Sequence, residues 1–102
     1  MPNDLGYSHE KLLGAVLMLD DERYGDDLRT RLGRAWNDEG TFARPHDMPG
    51  RRPVPDELAA RLAAFDARIE GLRNMSDLEV RAAVDDLRDL ALDASLALRK
   101  AT

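Results

Sequence analysis

The sequence predicts an all-α fold, an up-and-down bundle of three to four helices that ends in an antiparallel helical hairpin. Three observations carry this. Apolar residues between 56 and 99 recur at heptad spacing. Several helix-start signals coincide at residues 75–80. Leu12 to Leu19 is apolar almost throughout, as in a bundle helix buried on every side. At 102 residues the chain is read as a single domain, 1–102, with a modest core.

The first helix is expected at about 8–21. Ser8 is its N-cap, and Glu10 suits the positive end of the helix dipole. With Leu12, Leu13, Ala15, Val16, Leu17, Met18 and Leu19 on all its faces, it belongs at the bundle centre. The charged run Asp20 to Asp27 contains Gly25 and marks a break. A second helix follows at about 26–37, with Leu28, Leu32, Ala35 and Trp36 on one side and Arg29, Arg31 and Arg34 outside that stripe. One long bent helix over 8–37 is the alternative, because Tyr24, Leu28 and Leu32 keep helical spacing.

Residues 38–55 read as a long connecting loop holding Pro45, Pro49, Pro53 and Pro55. Loops of this length are usually functional or disordered. Phe42, Met48 and Val54 are available to pin it to the bundle, and Arg44, His46, Arg51 and Arg52 make it the basic stretch of the chain. It is either a crossover packed along the bundle or a partner-contacting segment whose Arg51 and Arg52 take a carboxylate or phosphate group.

The third helix is expected at 56–73, capped by Asp56 after Pro53-Val54-Pro55. Leu58, Leu62, Phe65, Ile69 and Leu72 form one narrow seam. Ala59, Ala60, Ala63, Ala64 and Ala67 fill most other faces and allow close helix approach. Arg73-Asn74-Met75 is the turn, with Asn74 suited to a left-handed helix end. Ser76-Asp77-Leu78-Glu79 fits a capping box, and Met75 and Val80 occupy the positions of a hydrophobic staple. The last helix, about 76–99, presents Val80, Ala83, Val84, Leu87, Leu90, Ala91, Ala94, Ala97 and Leu98 on one broad face. Leu78, Leu92 and Leu96 lie off that face. They are either scattered surface leucines or a second contact face.

Composition narrows the function classes. The net charge is −5, divided as −4 over 1–40 (5 basic, 9 acidic), +2 over 41–55 (3 basic, 1 acidic) and −3 over 56–102 (7 basic, 10 acidic). An acidic chain is repelled by phosphate backbones unless it concentrates positive charge on one surface, so nucleic acid is an unfavoured partner. There is no cysteine, and hence no disulfide framework or thiolate chemistry. No signal peptide is visible, and Leu12 to Leu19 is too short to span a bilayer, so a soluble cytoplasmic protein with no membrane association is expected. The basic residues are mostly arginine and Ile69 is the single isoleucine, a bias expected of a GC-rich, bacterial genome.

No site chemistry stands out. The acids at 20, 21, 22, 26 and 27 lack the alternating ligands and closing glutamate of a calcium loop, and no Glu-x-x-His pair of a di-iron bundle occurs. They read as a solvated acidic turn, with a divalent-ion site as the competing reading. His46 beside Asp47 has no nucleophile placed near it, His9 is expected to be exposed, and the three serines (Ser8, Ser76, Ser95) suit caps and helix better than a Ser/His/Asp arrangement. No catalytic, cofactor or metal residues are assigned.

Leu12 to Arg34 also resembles the opening of the PadR-like winged-helix regulators. Leu13-Gly14-Ala15-Val16-Leu17, Tyr24-Gly25 and Leu28-Arg29-Thr30-Arg31-Leu32 stand where that family has an apolar helix, a short turn with Tyr-Gly and a second amphipathic helix. The resemblance covers about a quarter of the chain. It implies, as the alternative function, a DNA-binding transcriptional regulator using a helix-turn-helix-like segment at 12–36. Such a family continues with a recognition helix and a two-stranded wing, whereas residues 40–55 are proline-rich and without β-alternation.

The expected function is therefore non-enzymatic: a small helical-bundle interaction or accessory module, self-associating, with a homodimer as the expected assembly. The candidate partner-contact residues are Trp36, Phe42, Arg44, Arg51, Arg52, Leu78, Leu92 and Leu96.

Overall fold

The computed structural model describes residues 5–39 and 53–101. They form an all-α bundle of four helices: α1 (Leu5–Leu19), α2 (Leu28–Asp38), α3 (Asp56–Ile69) and α4 (Asp77–Ala101), with 3₁₀ turns at Glu22–Tyr24 and Leu72–Asn74. The loop residues Phe42, Arg44, His46, Met48, Arg51 and Arg52 lie outside the described residues.

Cross-helix contacts give the direction of each helix relative to the next. Lys11 of α1 pairs with Glu39 beyond the end of α2, while Arg31 near the start of α2 donates to the Leu19 carbonyl at the end of α1 (2.7 Å). Trp36 of α2 donates to Asp66 of α3 (2.7 Å), and Arg29 donates to the carbonyl of Leu72 just past α3 (2.6 Å). Arg61 pairs with Asp93 and Arg68 with Asp86 across α3 and α4. In each case the later residue of one helix meets the earlier residue of the next, so the helices alternate up and down. Asp20, just after α1, reaches Arg88 of α4 at 2.9 Å and closes the ring.

The core follows the amphipathic stripes. Leu5, Leu12 and Leu19 form a heptad line on α1 and are almost fully buried, as are Leu32, Ala35 and Trp36 of α2. α3 contributes Leu58, Leu62, Phe65 and Ile69, and α4 contributes Val80, Ala83, Val84, Leu87, Leu90, Ala91 and Ala94. Trp36 meets Phe65 edge-on with ring centroids 4.8 Å apart, the favoured geometry for an aromatic pair. The most extensive packing partner of α4 is α1, not its hairpin neighbour α3. The long axis of 38 Å matches the length of α4, 25 residues at about 1.5 Å each.

Several expectations are corrected. α1 begins at Leu5 because Leu5 extends the Leu12–Leu19 line by one heptad. Ser8 is consequently not a cap but a buried residue inside the helix. α1 is not apolar-packed on every side, because only one stripe faces the core, leaving Leu13 and Leu17 exposed. Residues 8–37 form two helices. Gly25, at φ 149°, adopts a backbone conformation that side-chain-bearing residues rarely reach, and α2 starts at Leu28 after the Asp27 cap rather than at 26. Asp56 is the first helical residue and Pro55 the cap, with Asp56 and Glu57 both in the first turn where the dipole favours acids. α3 ends at Ile69, before Gly71, instead of continuing to 73. Leu72 packs against the core from the following turn, and Asn74 keeps a negative φ there rather than a left-handed one.

The start of α4 forms as expected. The Ser76 N–H donates to Glu79 Oε1 and the Glu79 N–H donates to Ser76 Oγ, each at 3.1 Å. Val80 is buried and Met75 packs against the core.

Candidate interaction surface

The charged residues that invite a catalytic or binding reading are largely engaged in holding the bundle together. Asp21 caps the first 3₁₀ turn and binds the Arg23 side chain, whose hydrogen bonds hold its carboxyl below the usual range. Asp27 accepts the Thr30 N–H at 2.7 Å, and hydrogen bonding from the Thr30 side chain and backbone lowers its pKa. Asp20 pairs with Arg88. The acidic run at 20–27 is thus two helix caps and one tertiary ion pair with intervening exposed acids. Among the described residues, no group of three His, Cys, Asp or Glu side chains is placed to hold a metal ion.

The arginines of α2 are engaged in the same way. Arg29 binds the Leu72 carbonyl and Asp77, and Arg31 binds the carbonyls of Leu19 and Gly25. Arg34 is exposed. A helix that reads DNA needs its basic side chains turned outward. Two of these three are turned inward to the bundle.

Trp36 is 1 % exposed, so it is a core residue and not a surface contact of this chain. Leu78, Leu92 and Leu96 are exposed as their off-stripe positions predict. The structure does not bring all three together. Leu78 sits in the first turn of α4, about 21 Å along the helix from Leu92 at 1.5 Å per residue.

Two further exposed leucines, Leu13 and Leu17, lie on α1, the helix that the sequence reading had buried on every side. α1 and α4 are antiparallel and are tied together at Asp20 and Arg88. Counting back along α1 and forward along α4 from that pair places Leu17 level with Leu92, and Leu13 level with Leu96. On a helical projection, Leu17 lies directly opposite the buried stripe of α1 with Leu13 beside it on the outer face, and Leu92 lies on the outer face of α4. Leu96 is one turn beyond Leu92. Their exposures are 44 % for Leu13, 72 % for Leu17, 57 % for Leu92 and 44 % for Leu96. The outer faces of the neighbouring helices α1 and α4 thus each carry two exposed leucines, with Leu96 on the side of α4 that borders α3, beside Pro55, Glu57 and Leu58. The available signal was the Leu5–Leu12–Leu19 heptad, which fixes the buried stripe of α1 and leaves positions 13 and 17 outside it.

A second feature is a shallow groove between α3 and α4. Its floor is Ala64, Phe65 and Leu90, and the Arg68–Asp86 and Arg61–Asp93 pairs cross it one heptad apart. The charged side chains that line it, Arg61, Arg68 and Asp86, are held in those pairs. No described helix is long and apolar enough to cross a membrane.

In comparisons with known proteins, no family model, no curated protein and no solved structure matches the chain.

Proposed function

We propose that this protein is a non-enzymatic helical-bundle interaction module that self-associates as a homodimer through the outer face of α1 and α4. The observation that carries this reading is the exposure of Leu13 and Leu17 on α1 and of Leu92 and Leu96 on its neighbour α4. A single exposed leucine is ordinary on any surface, whereas four on the outer faces of two neighbouring helices favour a contact surface. Asp20, Asp21, Asp27, Arg29 and Arg31 are drawn into caps, ion pairs and backbone contacts, and the polar side chains Arg61, Arg68 and Asp86 of the groove between α3 and α4 are held in interhelical ion pairs. Both observations favour a surface function over a catalytic one.

Leu92→Glu combined with Leu96→Glu tests this reading. Neither residue is in the core, so helicity by circular dichroism is expected to stay at the wild-type level. The solution mass is expected to fall from a dimer to the 11.4 kDa monomer. A double variant that assembles like the wild type rules Leu92 and Leu96 out as the contact.

A further inference from the structure

We infer that α3 is a hinged lid over Trp36, a helix that leaves the bundle as a unit while α1, α2 and α4 stay folded. The inference is independent of the outer leucines of α1 and α4. Among the described residues, α3 packs on its neighbours least extensively of the four helices. The placement of alanine explains this, because small side chains bring helices close only where they face a neighbour. α1 and α4 bury Ala15, Ala83, Ala91 and Ala94, and they form the most extensive helix pair. α3 turns Ala60, Ala63, Ala64 and Ala67 to the surface and meets its neighbours through larger side chains. Cavities of about 290 and 440 Å³ are left along its seam with α4, one beside Phe65 and Leu90 and one beside Leu58 and Leu96.

The restraints on α3 are light as well. α2 begins on the Asp27 cap and α4 on the Ser76–Glu79 box, whereas Pro55 gives α3 no side-chain cap. Arg61–Asp93 and Arg68–Asp86 cross to α4 between half-exposed partners, where an ion pair adds little stability. The turn after α3 is held more firmly. Arg29 binds the Leu72 carbonyl at 2.6 Å and reaches Asp77, and Leu72 lies 3.2 Å from where a Cβ on Gly33 would stand. The pivot therefore falls between Ile69 and Leu72, and Val54, Leu58, Leu62, Phe65 and Ile69 leave the core together. Trp36 then loses the Phe65 ring and the Asp66 acceptor, both carried by α3. A tryptophan that the closed bundle hides becomes accessible to a partner.

Residue-resolved hydrogen exchange on the intact chain tests the lid. A released helix of 14 residues is too short to keep its hydrogen bonds in water, so undocking exposes its amides to exchange. After correction for intrinsic rates, Leu62 and Phe65 are expected to exchange at least about ten times faster than Leu87 and Leu90 of α4. Ala15→Gly supplies the second arm. It weakens α1, which stays folded when the lid opens, so it is expected to speed exchange at Leu87 and Leu90 about five-fold and to leave Leu62 and Phe65 unchanged. Exchange at Leu62 and Phe65 within about three-fold of Leu87 and Leu90 would overturn the inference. Equal acceleration of all four amides by Ala15→Gly would overturn it too, because the bundle would then open only as a whole.

Discussion

Gly25 and Ser8 show how single residues decide the path of this chain. Gly25 has a φ of 149°, and a Cβ at that position would sit 2.6 Å from the Thr30 methyl carbon. Gly25→Ala is therefore opposed by both backbone strain and collision, and is expected to cost about 1–3 kcal/mol in urea unfolding. An unchanged midpoint would show that the turn can relax. Ser8 presents the opposite case. Its side chain is fully buried, and Oγ has no hydrogen-bond partner among the described residues. Ser8→Ala removes an unsatisfied hydroxyl and supplies a better helix former, so it is expected to stabilise the protein by up to about 1 kcal/mol and raise Tm. A loss of stability would mean that the hydroxyl is satisfied. From sequence, serine ahead of an apolar run reads as a helix cap. The heptad relation of Leu5 to Leu12 shows that the run begins earlier, and that relation is legible only once Leu5 is counted as core.

At the scale of the element, the most legible feature was the start of α4, because several local signals specify it and none depends on tertiary packing. Ser76→Ala breaks the capping box and is expected to cost about 1 kcal/mol in a denaturant titration. The same box gives a pH dependence. Hydrogen bonds from the Ser76 backbone and then its hydroxyl lower the pKa of Glu79 below its ordinary 4.5, while Asp27 and Asp21 are lowered from 3.8. The folded pKa of each lies below the unfolded one. Their contribution is therefore complete above the unfolded value and is lost as pH falls through the folded value. Tm is expected to be level above about pH 6 and to fall below pH 4.5. Glu79→Gln should flatten part of that fall, and an identical profile in the variant would remove Glu79 as a contributor. Helix ends set by packing were less legible. The stop of α3 at Ile69 depends on Gly71 and on Leu72 turning back to the core, which a periodic pattern running through 72 conceals. The burial of Trp36 likewise depends on Phe65 and Asp66, some 30 residues away, and local sequence carries no trace of that contact.

On the scale of the whole molecule, the four-helix bundle is what the apolar periodicity predicts. The neighbour relations inside it are not, since heptads state which face is buried and not against what. This is why Leu92 and Leu96 were identified as exposed while the exposure of Leu13 and Leu17 on α1 went unseen. The neighbouring helices α1 and α4 are aligned by Asp20 and Arg88, which are 68 positions apart. The proposed self-association through the outer leucines of α1 and α4 is tested most directly by solution mass. Sedimentation equilibrium across a concentration series is expected to give about twice 11.4 kDa for the wild type and a mass that falls on dilution. Leu92→Glu with Leu96→Glu should remain at the monomer mass throughout. A wild type that holds the monomer mass at every concentration would contradict the account.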